Sequence, residues 1–577
     1  VVAVEQVTPE PTDAPEPEVT QGPESTPEPT AEPTAEPVEE TPAPPRRLTV
    51  SAASDADPGL IRNIKRYSGK NKLTEYLRAE ADAIDMPGPD GYLYRQAGVF
   101  TFRASSFRQN AAFGTVQPLS GMRVLWTYEL TDRVRDDSKT YYYGIGRNSQ
   151  PVIVQWPYQI REMSDMNDDK KTKTALKEVI IAGENGRIYF LDLEDGLPTR
   201  SALNVGYPMR ATPTINGKHY PFIIVGQYAR KIPGTSRQIG MRCYNLLNMR
   251  QIYFFNGLDT DFRNTKRPYS TVGNFDTSAL YDVSSDSLIF AGGNGMLYLA
   301  KVTQTLKVND QEYTADLSYV VMATQAQGES AARTAVQSSL AAYQGYVFWA
   351  DKGGYLRCVD ANTMTVQWAV ATGDAVESAV ALDLDEDGSL ALYTANTLQN
   401  RTPKKGKADV QIRRFDAESG AEVWSLDLNV AKPSRDAYIP GVYASPVIGQ
   451  GQLGDYVYYT VSGLSAAGGS AVFGSSEAVP GALLCIEKAT GRIRWAQALS
   501  SYSYSSPVAV YTEDGTGYIL QAASDGTLYL LEGRTGALIQ SMTVSGVING
   551  SPAVYNNILV IGTQGSGTSY IYGIALE

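Results

Sequence analysis

Residues 483–499 read LLCIEKATGRIRWAQAL. An apolar strand runs into a Thr-Gly turn, and the returning strand carries a tryptophan. Cys485 stands ten residues before Trp495. The same spacing separates Cys358 from Trp368 in LRCVDANTMTVQWAV (356–370), and Arg414 from Trp424 in RRFDAESGAEVWSLDL (413–428). One hairpin is thus written several times over, and such repetition decides the architecture before any single residue does.

Each copy belongs to a longer unit that opens on a Ser-Pro or similar pair and a short apolar strand. Counting the proline or its equivalent gives markers at 151, 213, 279, 340, 380, 446, 507 and 552. These eight repeats are spaced by 40 to 66 residues. Each holds four short strands rich in Val, Ile, Tyr and Leu between Gly, Asn and Asp turns, the pattern of a β-propeller blade. The last repeat stops after SYIYGIALE, one strand short, while an orphan strand, RVLWTYEL (123–130), precedes the first. The expected fold is all-β: an eight-bladed propeller of four-stranded antiparallel blades, its ring closed by that N-terminal strand, which removes two free sheet edges.

The hairpin has a physical reading. Gly196, Gly420, Gly491 and Gly536 supply the positive φ of a tight turn. Asp192, Asp360 and Asp416 sit where a carboxylate caps turn backbone. Trp368, Trp424 and Trp495 offer flat surfaces to a neighbouring blade. The pattern Asp-x-x-(Thr/Ser)-Gly-x-x-x-Trp resembles the tryptophan-docking motif of PQQ-like (quinoprotein) propeller repeats. The resemblance covers about residues 122–577, strongest in repeats four to seven and degenerate in one to three. That family includes quinoprotein alcohol dehydrogenases and non-enzymatic scaffolds such as the outer-membrane assembly propeller of Gram-negative bacteria, so the motif speaks for fold rather than activity.

Two segments precede the propeller of 122–577. Residues 1–47, rich in Pro, Glu and Thr, read as a disordered extended stalk. Residues 48–121 read as a lead-in packed on the propeller: PGLIRNIKRYSGKNKLTEYLRAEADAI (58–84) as helix, and 94–116 as irregular, anchored by Phe100, Phe102, Phe107 and Phe113. Residues 1–45 hold eleven of the 62 acids and no Lys or Arg, leaving 51 acids against 50 bases elsewhere. A folded part so near neutral is not that of a nucleic-acid binder. No apolar run reaches the ~18 residues of a membrane helix, so no membrane insertion by this chain is expected, with an anchor upstream left open. The stalk, and a start without Met, suit a processed bacterial protein, at the cell surface or secreted. Cys243, Cys358 and Cys485 occupy one hairpin position in separate repeats, too far apart for disulfides, and read as small buried apolar groups.

Catalytic groups are sparse. The single histidine, His219, falls in a turn, and a zinc site or Ser-His-Asp triad needs a well-placed imidazole. The resemblance implies, for a PQQ enzyme, adjacent cysteines, a calcium held by Glu, Asn and Asp, and a catalytic Asp; this chain has no Cys-Cys pair. PQQ is therefore not expected. Three residues before each marker stand Asn148, Arg210, Asp276, Gln337, Glu377, Tyr443, Tyr504 and Asn549, a polar set that converges on the axis of a closed ring. They either hold a small polar ligand or simply wet the ends of the inner strands. DLDEDGSLALYT places Asp383, Asp385 and Asp387 at alternate positions as a calcium loop does, without the closing Glu; an acidic turn is the plainer reading. SGLSAAGGSAVFGSSEAVPG (462–481) reads as a mobile insertion over one face. The chain is expected to be a non-catalytic, extracytoplasmic binding or scaffolding propeller for a protein, peptide or cell-envelope glycan. The alternatives are a divergent quinoprotein or other small-molecule enzyme using the funnel, and a ligand-sensing ectodomain.

Overall fold

The computed structural model describes residues 46–92, 96–135, 139–218, 220–228, 239–257, 273–328, 330, 333–401, 406–433, 438–565 and 567–577. The expected stalk lies outside them save Arg46 and Arg47, as does His219. The described chain is all-β and propeller-like, its strands running in consecutive antiparallel sets of four. In the first repeat these are Val152–Gln155, Lys177–Ala182, Arg187–Asp192 and Leu203–Asn204. The last repeat contributes Ala553–Tyr555, Ile558–Gly562 and Ser569–Leu576, and its fourth strand is Met122–Leu130. The orphan strand pairs where its sequence places it, with Trp126 opposite Gly573.

The tenfold spacing is a cross-strand pairing. Cys358 faces Trp368, Arg414 faces Trp424 and Cys485 faces Trp495, each pair followed at once by a register shift. Such a bulge raises the local twist and re-aims the outer strand. Each indole then docks on the next repeat. Trp126 Nε1–H donates to Leu193 O (2.8 Å), Trp368 to Ala417 O (3.0 Å), Trp424 to Lys488 O (2.7 Å) and Trp495 to Gly533 O (3.0 Å). The ring lies on the glycine of that repeat's turn: a Cβ on Gly491 would stand 2.8 Å from a Trp424 ring carbon, and on Gly536 2.5 Å from Trp495. These glycines have φ of 73° and 74°, so they supply both the left-handed turn and a bare docking face. The carboxylate caps are in place, Asp416 Oδ1 accepting Ser419 N–H at 2.7 Å and Asp360 Oδ1 accepting Asn362 N–H at 2.8 Å. In the seventh repeat Gln540 replaces tryptophan and bonds the backbone of Met122. The second and third repeats substitute an aromatic cluster, with Phe290 stacked on Tyr298 at 4.9 Å. Cys243, Cys358 and Cys485 are buried free thiols in three different sheets.

The helix expected over 58–84 is corrected. Ile61–Ser68 and Asn71–Leu73 are strands, added to the third repeat's sheet through its long last strand, Glu312–Ala326. Ile61, Ile64 and Tyr67 mimic a helical apolar face, yet Gly69 (φ 55°) turns the chain into a hairpin. The edge of Glu312–Ala326 offers unpaired backbone groups, and tertiary pairing overrides weak helix propensity. Among the described residues of the lead-in, helical turns stand at Pro58–Leu60, Glu80–Asp82 and Pro89–Tyr92. The insertion in repeat six is corrected too: Ala466–Phe473 is an α-helix capped by Ser465 and by Gly474 at φ 69°. Val472 and Phe473 pack it into the core shared by repeats five and six.

The segment 98–113 was expected only to pack against the propeller; it forms a strap that visits every repeat. Gly98–Val99 pairs with Val152–Gln155 of the first repeat. Phe100 O then accepts Ile215 N–H (2.9 Å), Ser106 O accepts Ala342 N–H (2.9 Å), Phe107 O accepts Leu382 N–H (2.9 Å) and Gln109 O accepts Ile448 N–H (3.1 Å). Asn110 Oδ1 accepts Ala509 N–H (3.0 Å), Ala111 O accepts Val554 N–H (2.9 Å), and Ala112–Phe113 runs parallel to Ala553–Tyr555. The third repeat's equivalent donor, Tyr281 N–H, is met by Tyr92 Oη (3.2 Å). Each of these donors lies two residues past its repeat's marker. The strap is held by two buried arginines without carboxylates. Arg103 donates to Pro446 O (2.6 Å), Pro507 O (2.6 Å) and Gln109 O (3.1 Å); Arg108 donates to Leu340 O (2.9 Å), Ser278 O (2.9 Å) and Phe102 O (2.5 Å). Burial pushes the two guanidinium groups down to about 9 and about 10, so both stay charged at neutral pH. Phe100, Phe102 and Phe107 are buried as expected; Phe113 is half-buried against Tyr555.

Gly491→Ala is expected to destabilise the protein by about 1–3 kcal/mol, from overpacking against Trp424 plus left-handed strain. Because the two residues share one contact, Gly491→Ala combined with Trp424→Ala should cost less than the two single changes added. Chemical denaturation of the four proteins checks it; strict additivity would separate the glycine from the docking.

Candidate functional site

The residues three before each marker gather at the axis. Ser/Thr positions just behind them tie repeat to repeat: Ser278 N–H donates to Ser339 Oγ (3.0 Å), Ala379 N–H to Ser445 Oγ (2.8 Å), Ser445 N–H to Ser506 Oγ (3.0 Å) and Ser506 N–H to Ser551 Oγ (3.0 Å). Ser551 N–H then reaches Ser149 O of the first repeat at 2.9 Å. This hydroxyl relay fixes the inner-strand ends and hence the side chains above them.

Asn148, Gln337, Glu377, Tyr443 and Tyr504 line a small void floored by Phe102 of the strap, which admits no more than about one water molecule. Asp276 joins them through Gln337 Nε2, which donates to Asp276 Oδ2 at 2.7 Å. Arg210, Tyr504 and Asn549 open into a wider funnel of about 430 Å³, with Arg147, Glu184, Lys432, Tyr438, Tyr502 and Gln564. The eight sequence-selected residues therefore share one locale.

Most of the charges there are committed to one another. Arg210 pairs with Glu184 and covers the Tyr228 ring, 3.3 Å from its centroid. Lys352 lies 3.4 Å from Glu377 Oε1, and the Gln399 amide bridges the two. Tyr443 and Tyr504 meet at 4.3 Å, and Arg147 lies over both rings at 5.7 and 5.6 Å. Among the described residues Asp276 Oδ1 and Glu377 Oε2 have no hydrogen-bond partner. Burial raises the Glu377 carboxyl above its ordinary value, opposed by Lys352 and Arg147. Burial pushes the Tyr504 hydroxyl up to about 12, leaving it a neutral group that accepts Ile439 N–H at 2.6 Å. Sequence reasoning missed Arg147, Glu184, Tyr438 and the strap's Phe102. Arg147 directly precedes Asn148, so the marker count that chose its neighbour passed over it.

The carboxylates of the candidate calcium loop, Asp383, Asp385 and Asp387, are each engaged by a different partner. Asp383 Oδ2 takes Lys488 Nζ at 2.6 Å, and Asp385 Oδ2 takes Arg414 at 2.5 Å. Asp387 bonds Ser389 at its own turn. Among the described residues no group of three or more His, Cys, Asp or Glu side chains is disposed to hold a metal ion. The acidic turn is held by cations from other strands, which the local sequence does not reveal. The three cysteines lie in sheet cores, and Glu377 is engaged by Lys352.

Glu377 gives the small void a pH signature. A carboxyl raised in the fold holds its proton more tightly there than in the unfolded chain. It therefore subtracts stability as pH rises from about 4.5 through the folded value. Glu377→Gln should remove that slope and gain on the wild type as pH rises above about 4.5. Melting both proteins across the range checks it; a gap that narrows with pH would contradict the assignment.

Residues 408–566 match the PQQ_2 family model, described as "Outer membrane protein assembly factor BamB". No curated protein matches the chain. Among solved structures, a "Europium-containing methanol dehydrogenase" is similar at 10% identity and a TM-score of 0.40, over 85% of this chain and 100% of that one. The quinohemoprotein alcohol dehydrogenase ADHIIG from Pseudomonas putida HK5 is similar at 11% identity and 0.41, over 85% and 81%. BamB from Moraxella catarrhalis is similar at 12% identity and 0.31, over 78% and 97%. Through residues 408–566 the chain carries repeats of the PQQ-like family.

Proposed function

We propose that the chain is an extracytoplasmic, non-catalytic binding or scaffolding module, built as an eight-bladed propeller whose open funnel is the binding site. Pairing of Ser569–Leu576 with Met122–Leu130, and Trp126 docked on Leu193, support a ring closed between the last repeat and the first. One observation carries the functional reading. The strap stoppers the channel at one end and leaves a one-ended polar and aromatic funnel of about 430 Å³, within the range of small-ligand sites. Its one carboxylate, Glu184, is held by Arg210, and in the void beneath it Glu377 is held by Lys352, so neither stands as a nucleophile beside a base. The family description, an outer-membrane assembly factor, supports the extracytoplasmic and scaffolding part. No described helix is long and apolar enough to cross a membrane.

The test presents the full chain to an array of cell-envelope glycans and peptides. The wild type should retain a binder that Tyr502→Ala with Asn549→Ala weakens at least tenfold, about 1.4 kcal/mol. Ala467→Gln, at an exposed position of the helix Ala466–Phe473, should bind as the wild type does. A binder kept by the funnel variant and lost with the helix variant would move the site away from the axis.

A further inference from the structure

We propose that the funnel takes an acidic sugar, with Arg147 holding the carboxylate; this rests on the funnel being the binding site. Arg147 comes from the loop before the first repeat's inner strand and reaches Tyr443 and Tyr504 of the sixth and seventh. Among the described residues no carboxylate lies within ion-pair distance of it, whereas Arg210 has Glu184 and Lys352 has Glu377. Lys432, also lining the funnel, bonds only the Arg401 carbonyl (3.1 Å) among the described residues. The lining therefore carries cations in excess of its single carboxylate, Glu184. A guanidinium backed by two aromatic faces is oriented and partly desolvated, which suits it to a planar carboxylate.

The remainder of the lining fits a compact polyhydroxyl ring. Tyr438 stacks on Tyr502 at 4.7 Å with ring planes 14° apart, and Tyr502 meets Tyr504 edge-on at 5.3 Å. These rings form a flat apolar wall with hydroxyl tips. Asn549 and Gln564, also in the lining, present amides bonded to each other at 3.1 Å, with donors and acceptors to spare. An extended acidic peptide fits less well. The strap already occupies the inner-strand N–H donors at the axis, so no backbone edge there is left to pair with one.

Isothermal titration calorimetry of the full chain with D-glucuronate, D-glucose and tri-glutamate tests this. Glucuronate should bind at least tenfold tighter than glucose. Arg147→Gln should erase that preference, and Arg147→Lys, which keeps the charge, should retain part of it and guard against a folding failure. Three results would overturn the proposal: no glucuronate binding up to ~10 mM, a preference unchanged in Arg147→Gln, or tri-glutamate binding more tightly than glucuronate. If glucose binds as well as glucuronate and Tyr502→Ala abolishes both, the funnel reading stands and the carboxylate assignment falls. If glucuronate binds and neither Arg147→Gln nor Tyr502→Ala weakens it, both fall.

Discussion

An innermost strand at a propeller axis has one partner and one bare edge, and a bare buried N–H costs about 1–3 kcal/mol. In this protein the constraint recurs at the same register in every repeat, two residues past the marker. The strap answers it with one acceptor at a time while travelling around the axis, except in the third repeat, where Tyr92 Oη does. To turn that tightly it adopts left-handed backbone at Arg103, Ala104 and Arg108. The two arginines in turn bond carbonyls that no neighbouring strand reaches. The rest depends on this solution: Phe102 closes the floor, the channel becomes a funnel, and the polar and aromatic side chains of the lining stand above it.

Around the rim a second device sets the angle between sheets. Each tryptophan spans to the following repeat by one hydrogen bond and one face-on contact with glycine. An indole buries on the order of 150–250 Å², so the contact is large, and its N–H bond makes it directional. Where the tryptophan is missing, Gln540 keeps the direction without the area, and the cluster around Phe290 and Tyr298 supplies area without an indole. The motif therefore fades in the early repeats while the packing persists.

The parts that were legible in the sequence are those governed by local rules. The strand-turn-strand period, the glycine turns, the orphan strand with Trp126 and the polar set before each marker all follow from spacing alone. What escaped is carried by partners far apart in the chain. The strap has no periodicity, because it meets each repeat through a different residue. Ile61–Ser68 looked helical because its apolar spacing suits a helix, and only the edge of Glu312–Ala326 makes it a strand. Asp383 and Asp385 copied the opening of a calcium loop, but Lys488 and Arg414 reach them from other strands. Arg147 was passed over because it belongs to the loop, one residue before the position the repeat points to.

The strap and the strand Met122–Leu130 leave the ribosome before any repeat, yet their last partners, Ala553–Tyr555 and Ser569–Leu576, are made at the very end. Segments synthesised ahead of the repeats are thus among the last to find their places. Contacts of such long sequence separation slow folding, and until they form, the growing array exposes unpaired edges on which it can aggregate or mispair. The same arrangement makes the finished molecule hard to peel: neither end can fray far without opening the sheet that holds the other. A propeller joined this way trades speed of assembly for persistence once assembled.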